Sequence, residues 1–393
     1  MDELSRLLAL SEGERVERGL VHTPREIRRQ PSTWRRTYEM FSEAAGGVRD
    51  FLARVGLTEG ESVRPSVYLV GAGTSDYIGR ALASLLRREW RCEVQAVPST
   101  DLLTDMDDYS IPGRPYLWVS FSRSGDSSEG VAVIEAALER HPAVRHLIVT
   151  CNGEGRMARD FGGRENVFRL VLDDAVNDRG LAMTSSFSNM VVAGQCLAHV
   201  RDPDSYGRVV EELAAAAERF TGAAADAAAR LAAQRLTKFC FLGTGALRAV
   251  AVESALKVLE LTAGRVYTWS ESYLGVRHGP LSAVDGETLV VGFLSGDGRR
   301  RAYELDLLRE VKEKGLAGKI VAVWPVSGPP PGGFDESLSL GLAPGFDDLY
   351  RPPLDVIFGQ LFGLFNSLGQ GLKPDTPSPK GAITRVVERV RIH

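Results

Sequence analysis

The chain contains no run of about 18 apolar residues, so nothing in it reads as a membrane span. Cysteine is scarce: Cys92, Cys151, Cys196 and Cys240 are the only four, far apart and without paired spacing. That argues against both a disulfide framework and a thiolate metal site, and favours reduced thiols. None of the six histidines falls one helical turn from another, so no metal site is expected. Charge of one sign is also missing. A formal net charge of −4 with 25% charged residues gives no footprint for nucleic acid or an anionic membrane surface. The start, Met1-Asp2-Glu3-Leu4, is acidic and shows no secretory pattern, so a cytoplasmic protein is expected.

What is present is globular. With 393 residues and 44% hydrophobic content, the chain can bury two ordinary cores. A hydroxyl-rich stretch, Ser120-Phe121-Ser122-Arg123-Ser124-Gly125-Asp126-Ser127-Ser128, follows the apolar run Tyr116–Val119 and leads into a helical pattern from Gly130. A strand, a tight Ser/Gly loop and a helix make an anion cradle, because backbone N–H groups and hydroxyls converge on one point. An exposed serine-rich turn is the plainer alternative.

Three pieces recur in order. Val67–Thr74 returns as Phe239–Ala246, Leu117–Asp126 as Thr288–Asp297, and Leu147–Thr150 as Lys319–Ala322. Three matches in register argue for an internal duplication of a βαβ-rich unit. Short apolar runs alternating with helical stretches predict parallel sheets covered by helices on both faces. The expected divisions are a helical extension over 1–45, a first domain over 46–210, a second over 211–372, and a tail over 373–393. The second copy keeps Gly296-Asp297 but has lost most of the hydroxyls, so the first is expected to hold a ligand and the second to serve the fold. Pro325–Gly333 reads as a rigid surface loop.

Gly71-Ala72-Gly73-Thr74-Ser75 leaves a strand and opens a helix. A dinucleotide fingerprint would place a third glycine where Asp76 stands, and an acid there repels a pyrophosphate. Thr74 and Ser75 therefore suit a single phosphate or a sugar, unless the turn serves chain geometry alone. Asp178-Arg179 with Thr184-Ser185-Ser186 forms another polar loop that fits function and structure equally. Glu253, Lys257 and Glu260 lie four and three residues apart on a helical pattern and share one face, as an ion-paired surface stripe would. His278, before Gly279-Pro280, is presented on a helix-breaking loop. A carboxylate and an imidazole beside a phosphate cradle suit proton movement on a phosphosugar.

These motifs, together with Pro98-Ser99-Thr100-Asp101-Leu102 and Arg277-His278-Gly279-Pro280, resemble the sugar isomerase (SIS) family in its tandem two-domain form. Within it, the resemblance is to the branch of galactosamine-6-phosphate deaminase/isomerases, also described as tagatose-6-phosphate ketose/aldose isomerases, and it runs from Arg25 to Val387. It implies an α/β fold of two tandem flavodoxin-like SIS domains. It also implies roles, some by likeness to the isomerase half of glucosamine-6-phosphate synthase. Gly73, Thr74, Ser75, Ser122, Ser124 and Ser127 match phosphate-binding positions, with Arg123 where the synthase has Gln. Glu260 matches the base that moves a proton between the first two sugar carbons, and His278 the ring-opening histidine, which in that family reaches in from the neighbouring subunit. Lys257 and Glu253 match polar positions near the sugar.

The implied protein is a homodimer that needs no cofactor or metal, binds a sugar phosphate, and turns an amino-sugar 6-phosphate into the ketose 6-phosphate and ammonia. With no cysteine before Cys92, it has no nucleophile for a glutaminase domain, and Lys380 is not in clear register with the synthase's C-terminal lysine. The alternatives are an aldose–ketose isomerase, a fructosamine-phosphate deglycase, and a non-catalytic sugar-phosphate sensor.

Overall fold

The computed structural model describes residues 1–57, 64–330, 332–378, 381, 384–385 and 390–392. Lys380 lies outside these residues. Two compact units divide the chain, and neither is a single stretch of sequence. One comprises 32–177, 185–210 and 384–393; the other comprises 1–31, 178–184 and 211–383.

In the first of these, strands β1 (Ser66–Gly71), β2 (Val94–Pro98), β3 (Tyr116–Ser122), β4 (Arg145–Thr150) and β5 (Val167–Val171) form a parallel sheet of order β2-β1-β3-β4-β5. β1 and β3 are buried along their whole length, as expected where helices cover both faces. The order is that of flavodoxin-like folds, in which the chain reverses direction across the sheet between β1 and β3. Helix α1 (Thr74–Trp90) follows β1, and α2 (Ser128–Arg140) follows β3.

The second unit repeats the plan. Strands β6 (Lys238–Leu242), β7 (Tyr267–Glu271), β8 (Thr288–Phe293), β9 (Lys319–Val326) and β10 (Glu336–Leu342) lie in the order β10-β9-β8-β6-β7, the same topology read from the other edge. Helix α3 (Ala246–Leu261) follows β6, and α4 (Gly298–Glu313) follows β8. The duplication reaches backbone detail. Gly73 and Gly245 precede α1 and α3 with φ/ψ of 55°/−126° and 60°/−126°, a region that only glycine occupies readily.

One boundary differs from expectation. Pro325 is not in a loop but near the end of β9, where the pairing with β10 is irregular between Ser339 and Leu342. A proline is tolerated there because the ladder already lacks a regular donor.

Helix α5 (Pro352–Gly369) fixes the axis of α3. A Cβ on Gly359 would come within 2.1 Å of Ser254 Oγ, and one on Gly363 within 3.1 Å of the Lys257 carbonyl. Only hydrogen at these positions permits so close an approach, and the helix held this way carries Glu253, Lys257 and Glu260. Among the described residues, no helix is long and apolar enough to cross a membrane.

Candidate functional site

In flavodoxin-like sheets ligands bind beyond the carboxyl ends of the strands, where the strand order reverses. In the first-sheet unit that point lies between the loops after β1 and β3, the two stretches with hydroxyl-rich sequences. Ser122 and Ser124 are 6% and 8% exposed, sunk into the loop and not standing out from it. Ser122 Oγ accepts the Gly125 N–H at 3.0 Å and Ser124 Oγ accepts the Asp126 N–H at 3.2 Å. Each oxygen is thus fixed as an acceptor, while its own hydroxyl hydrogen meets no acceptor among the described residues and can serve an outside one. Gly125 makes the turn possible with φ of 68°, and its Cβ would meet Thr150 Oγ1 at 3.1 Å. Asn152 braces the loop by donating to the Ser124 carbonyl at 2.8 Å.

Ser127 takes the N-cap position of α2, yet its side chain makes no capping hydrogen bond to that first turn. Gly73 likewise leaves the start of α1 without a side-chain cap, with Thr74 and Ser75 buried in the first turn. Both helix starts present the positive end of the helix dipole, although in α1 the Ser75, Asp76 and Tyr77 N–H groups bond back to the Ala72 and Gly73 carbonyls. Asp126 does not spoil this field. Its carboxylate turns aside to accept the Arg156 N–H at 2.9 Å. Asp76, also in the first turn of α1, is buried and 2.7 Å from Arg80, and burial raises its pKa above the usual carboxylate range. Arg123 is buried too, and its guanidinium donates to the Arg385 carbonyl.

The equivalent loop after β8 is already filled with carboxylate. Glu304 accepts the Ser295 N–H at 2.7 Å, and Asp348 accepts the Gly296 N–H at 2.9 Å and the Ser295 hydroxyl. Asp297 caps α4 by accepting the Arg300 N–H. Arg351, fully buried, balances Asp348 and Asp355. Ser295 is the counterpart of Ser124, and its hydroxyl hydrogen is consumed here by the protein's own acid, Asp348. Gly296-Asp297 echoes Gly125-Asp126 in sequence, but the two aspartates do opposite things.

The second-sheet unit carries the other predicted group. On α3, Lys257 Nζ lies 2.5 Å from Glu260 Oε2 and 3.3 Å from Glu253 Oε1. Glu253 and Lys257 are wholly buried, while the Glu260 side chain keeps 29% of its surface. This is not a solvated stripe. Burial alone would depress the Lys257 pKa, but the two carboxylates outweigh it and hold the ammonium above its usual range. The row therefore pins one part-exposed carboxylate, Glu260, to a buried ammonium beneath it.

His278 is exposed at the end of a short 3-10 turn, Gly275–Arg277, and its ring has no hydrogen-bond partner among the described residues. Asp178 accepts the Thr184 N–H at 2.7 Å, and Glu26 accepts the N–H groups of Arg179 and Gly180, so the loop 178–184 is braced by carboxylates. Sequence reasoning did not reach Glu304 and Asp348, because the pairing with Ser295 spans 9 and 53 residues with no motif to mark it. Among the described residues, no group of three or more His, Cys, Asp or Glu could hold a metal ion.

The SIS domain model matches residues 62–200. An AgaS relative from Streptomyces coelicolor is 38% identical over 96% of this chain and 97% of its own length. One from Escherichia coli, named D-galactosamine-6-phosphate deaminase, is 36% identical over 94% of this chain and 95% of its own. The solved tagatose-6-phosphate ketose/aldose isomerase of Escherichia coli superposes with a TM-score of 0.85 at 34% identity, covering 94% of this chain and 96% of that one. At 19% identity, the C-terminal domain of glucosamine-fructose-6-phosphate aminotransferase from Francisella tularensis, with a TM-score of 0.76, bears on the fold alone. With two parallel sheets of one topology and relatives this similar over nearly their whole length, the chain belongs to the SIS domain family.

Proposed function

We propose that this chain is a phosphosugar deaminase/isomerase that converts galactosamine 6-phosphate and water to the ketose 6-phosphate and ammonia. The observation that carries the reading is the Glu253–Lys257–Glu260 row, which presents a single positioned carboxylate above a buried ammonium. The open serine loop supports a phosphate ligand, and the name of the Escherichia coli relative supports the amino sugar. Ser122, Ser124 and Ser127, with Thr74 and Ser75, hold the 6-phosphate. His278 protonates the ring oxygen as the ring opens. Glu260 takes a proton from the second carbon and returns it to the first, leaving an imine at the second carbon. Water adds there and ammonia leaves. A positioned general base of this kind is worth a factor of about 10² to 10⁴.

The test is ammonia release from galactosamine 6-phosphate by the full chain, with glucosamine 6-phosphate alongside. Glu260→Gln should lower the rate at least about 100-fold; an unaffected rate rejects the assignment. The name of the solved Escherichia coli isomerase favours a second reading, interconversion of aldose and ketose 6-phosphates without loss of nitrogen. Turnover of tagatose 6-phosphate with no ammonia from any amino sugar would select it.

The finer reading of assembly is a homodimer in which His278 serves the partner's site. Support comes from the exposed apolar side chains Leu259 (43%), Tyr267 (56%) and Leu274 (50%). Tyr267 lies on β7, an edge strand of its sheet, and such edges invite pairing. Mixing inactive Glu260→Gln and His278→Ala chains should restore up to about a quarter of wild-type activity if sites are shared, and none if each chain acts alone. Four cysteines without a disulfide and a charged, membrane-impermeant substrate support a cytoplasmic enzyme.

A further inference from the structure

The loop between β7 and His278 is anchored at its root by a carboxylate with no role in the reaction above. Glu271 closes β7, and its Oε1 accepts the Ser272 N–H at 2.7 Å and an Arg248 guanidinium N–H at 2.6 Å. Ser272 Oγ accepts the Gly275 N–H at 3.0 Å, and the Gly275 carbonyl accepts the His278 N–H at 2.9 Å. Three hydrogen bonds in series thus run from the Glu271 carboxylate to the backbone of His278. The chain folds tightly over this carboxylate: a Cβ on Gly275 would lie 2.9 Å from Glu271 Oε1 and 2.6 Å from Ser272 Oγ. Tyr273 and Val276, both 1% exposed, press the same loop onto the core. The imidazole has no hydrogen-bond partner among the described residues, so its placement follows the backbone beneath it.

We propose that Glu271 is a positioning residue for His278: it orders the loop 272–278 so that the imidazole meets the sugar ring oxygen. The proposal rests on His278 being the ring-opening group. The Arg248–Glu271 pair is itself half solvated and contributes little stability, with side chains 53% and 24% exposed. Its effect is geometric, and displacement of a catalytic group by about 1 Å costs about 10²-fold in rate.

The experiment measures kcat and KM for galactosamine 6-phosphate in the full chain for Glu271→Ala, Glu271→Gln, His278→Ala and the double variant Glu271→Ala/His278→Ala. Glu271→Ala should lower kcat about 10- to 100-fold with KM within about twofold. Glu271→Gln keeps a carbonyl oxygen for Ser272 and should recover to within about threefold of wild type. The double variant should be no slower than His278→Ala alone, since a residue that acts through the imidazole has nothing to position without it. Arg248→Met frees the same carboxylate from its other side and should lower kcat in the same direction, which keeps the test open if Glu271→Ala folds poorly. Multiplying losses in the double variant, or Glu271→Ala and Arg248→Met both at wild-type kcat, would overturn the positioning role and leave the ring-opening reading standing. Wild-type activity in His278→Ala would instead overturn the ring-opening reading, and this role with it.

Discussion

The Lys257 ammonium lies 2.5 Å from a carboxylate oxygen of Glu260, and nothing of the lysine reaches solvent. A second carboxylate, on fully buried Glu253, stands 3.3 Å from the same nitrogen. Removing one member of a buried ionic group leaves an uncompensated charge. Lys257→Met should therefore cost about 3–5 kcal/mol, read as a lower urea midpoint at constant m. Adding Glu253→Gln should recover much of that stability, because the buried charge goes too. It should not recover turnover, because Glu260 has still lost the cation that fixes its orientation. Full activity in the stable double variant would show that the lysine serves the fold alone.

The two copies of the strand–loop–helix unit make opposite predictions for the same substitution. Ser122→Ala or Ser124→Ala removes a hydroxyl donor from the open loop, and a hydrogen bond to a charged group is worth about 1.5–3 kcal/mol. Each should raise KM for the sugar phosphate at least about 10-fold and weaken competition by inorganic phosphate to the same degree. Ser295→Ala deletes a buried hydroxyl that serves Asp348 and should lower stability by about 1–3 kcal/mol with KM within about twofold. A KM that responds to Ser295 and not to Ser122 would reverse the assignment of ligand loop and structural loop.

Much of this was legible in the sequence, for a physical reason. A parallel strand buried on both faces must be a short apolar run. A strand-to-helix turn at φ/ψ near 55°/−126° must carry glycine, so the duplication was written in Gly71-Ala72-Gly73 and Gly243-Thr244-Gly245. Spacing alone put Glu253, Lys257 and Glu260 on one face of a helix. It did not tell whether that face meets water or protein, because this depends on α5, a hundred residues on, packing through Gly359 and Gly363. The filling of the second loop by Glu304 and Asp348 was equally out of reach, since hydrogen bonds between distant segments leave no periodicity. Pro325 misled because proline is rare inside sheets, and the irregular β9–β10 pairing that admits it is a property of the partner strand.

A buried imidazole sets a pH dependence that a single substitution isolates. His146 on β4 pairs in register with Trp118 on β3, its ring edge-on to the indole at 5.7 Å. Neither ring nitrogen has a hydrogen-bond partner among the described residues. Burial pushes its pKa down from 6.5 to about 4. Between those values the unfolded chain binds a proton that the native state refuses, so this group's contribution falls as the pH drops from about 6.5 towards 4. Glu26 works in the opposite sense. Burial, then the charge of Asp178, raises its carboxyl from 4.5 to about 7, so the native state keeps a proton the unfolded chain releases and stability falls as the pH rises across that range. Because the two slopes oppose, the total dependence is uninformative, and the difference between wild type and His146→Phe is what reports on His146. That difference should shift in favour of the variant by about 2 kcal/mol between pH 7 and pH 5, read from urea unfolding at each pH. A difference that stays flat across the window would mean that the imidazole finds a partner for its proton in the native state.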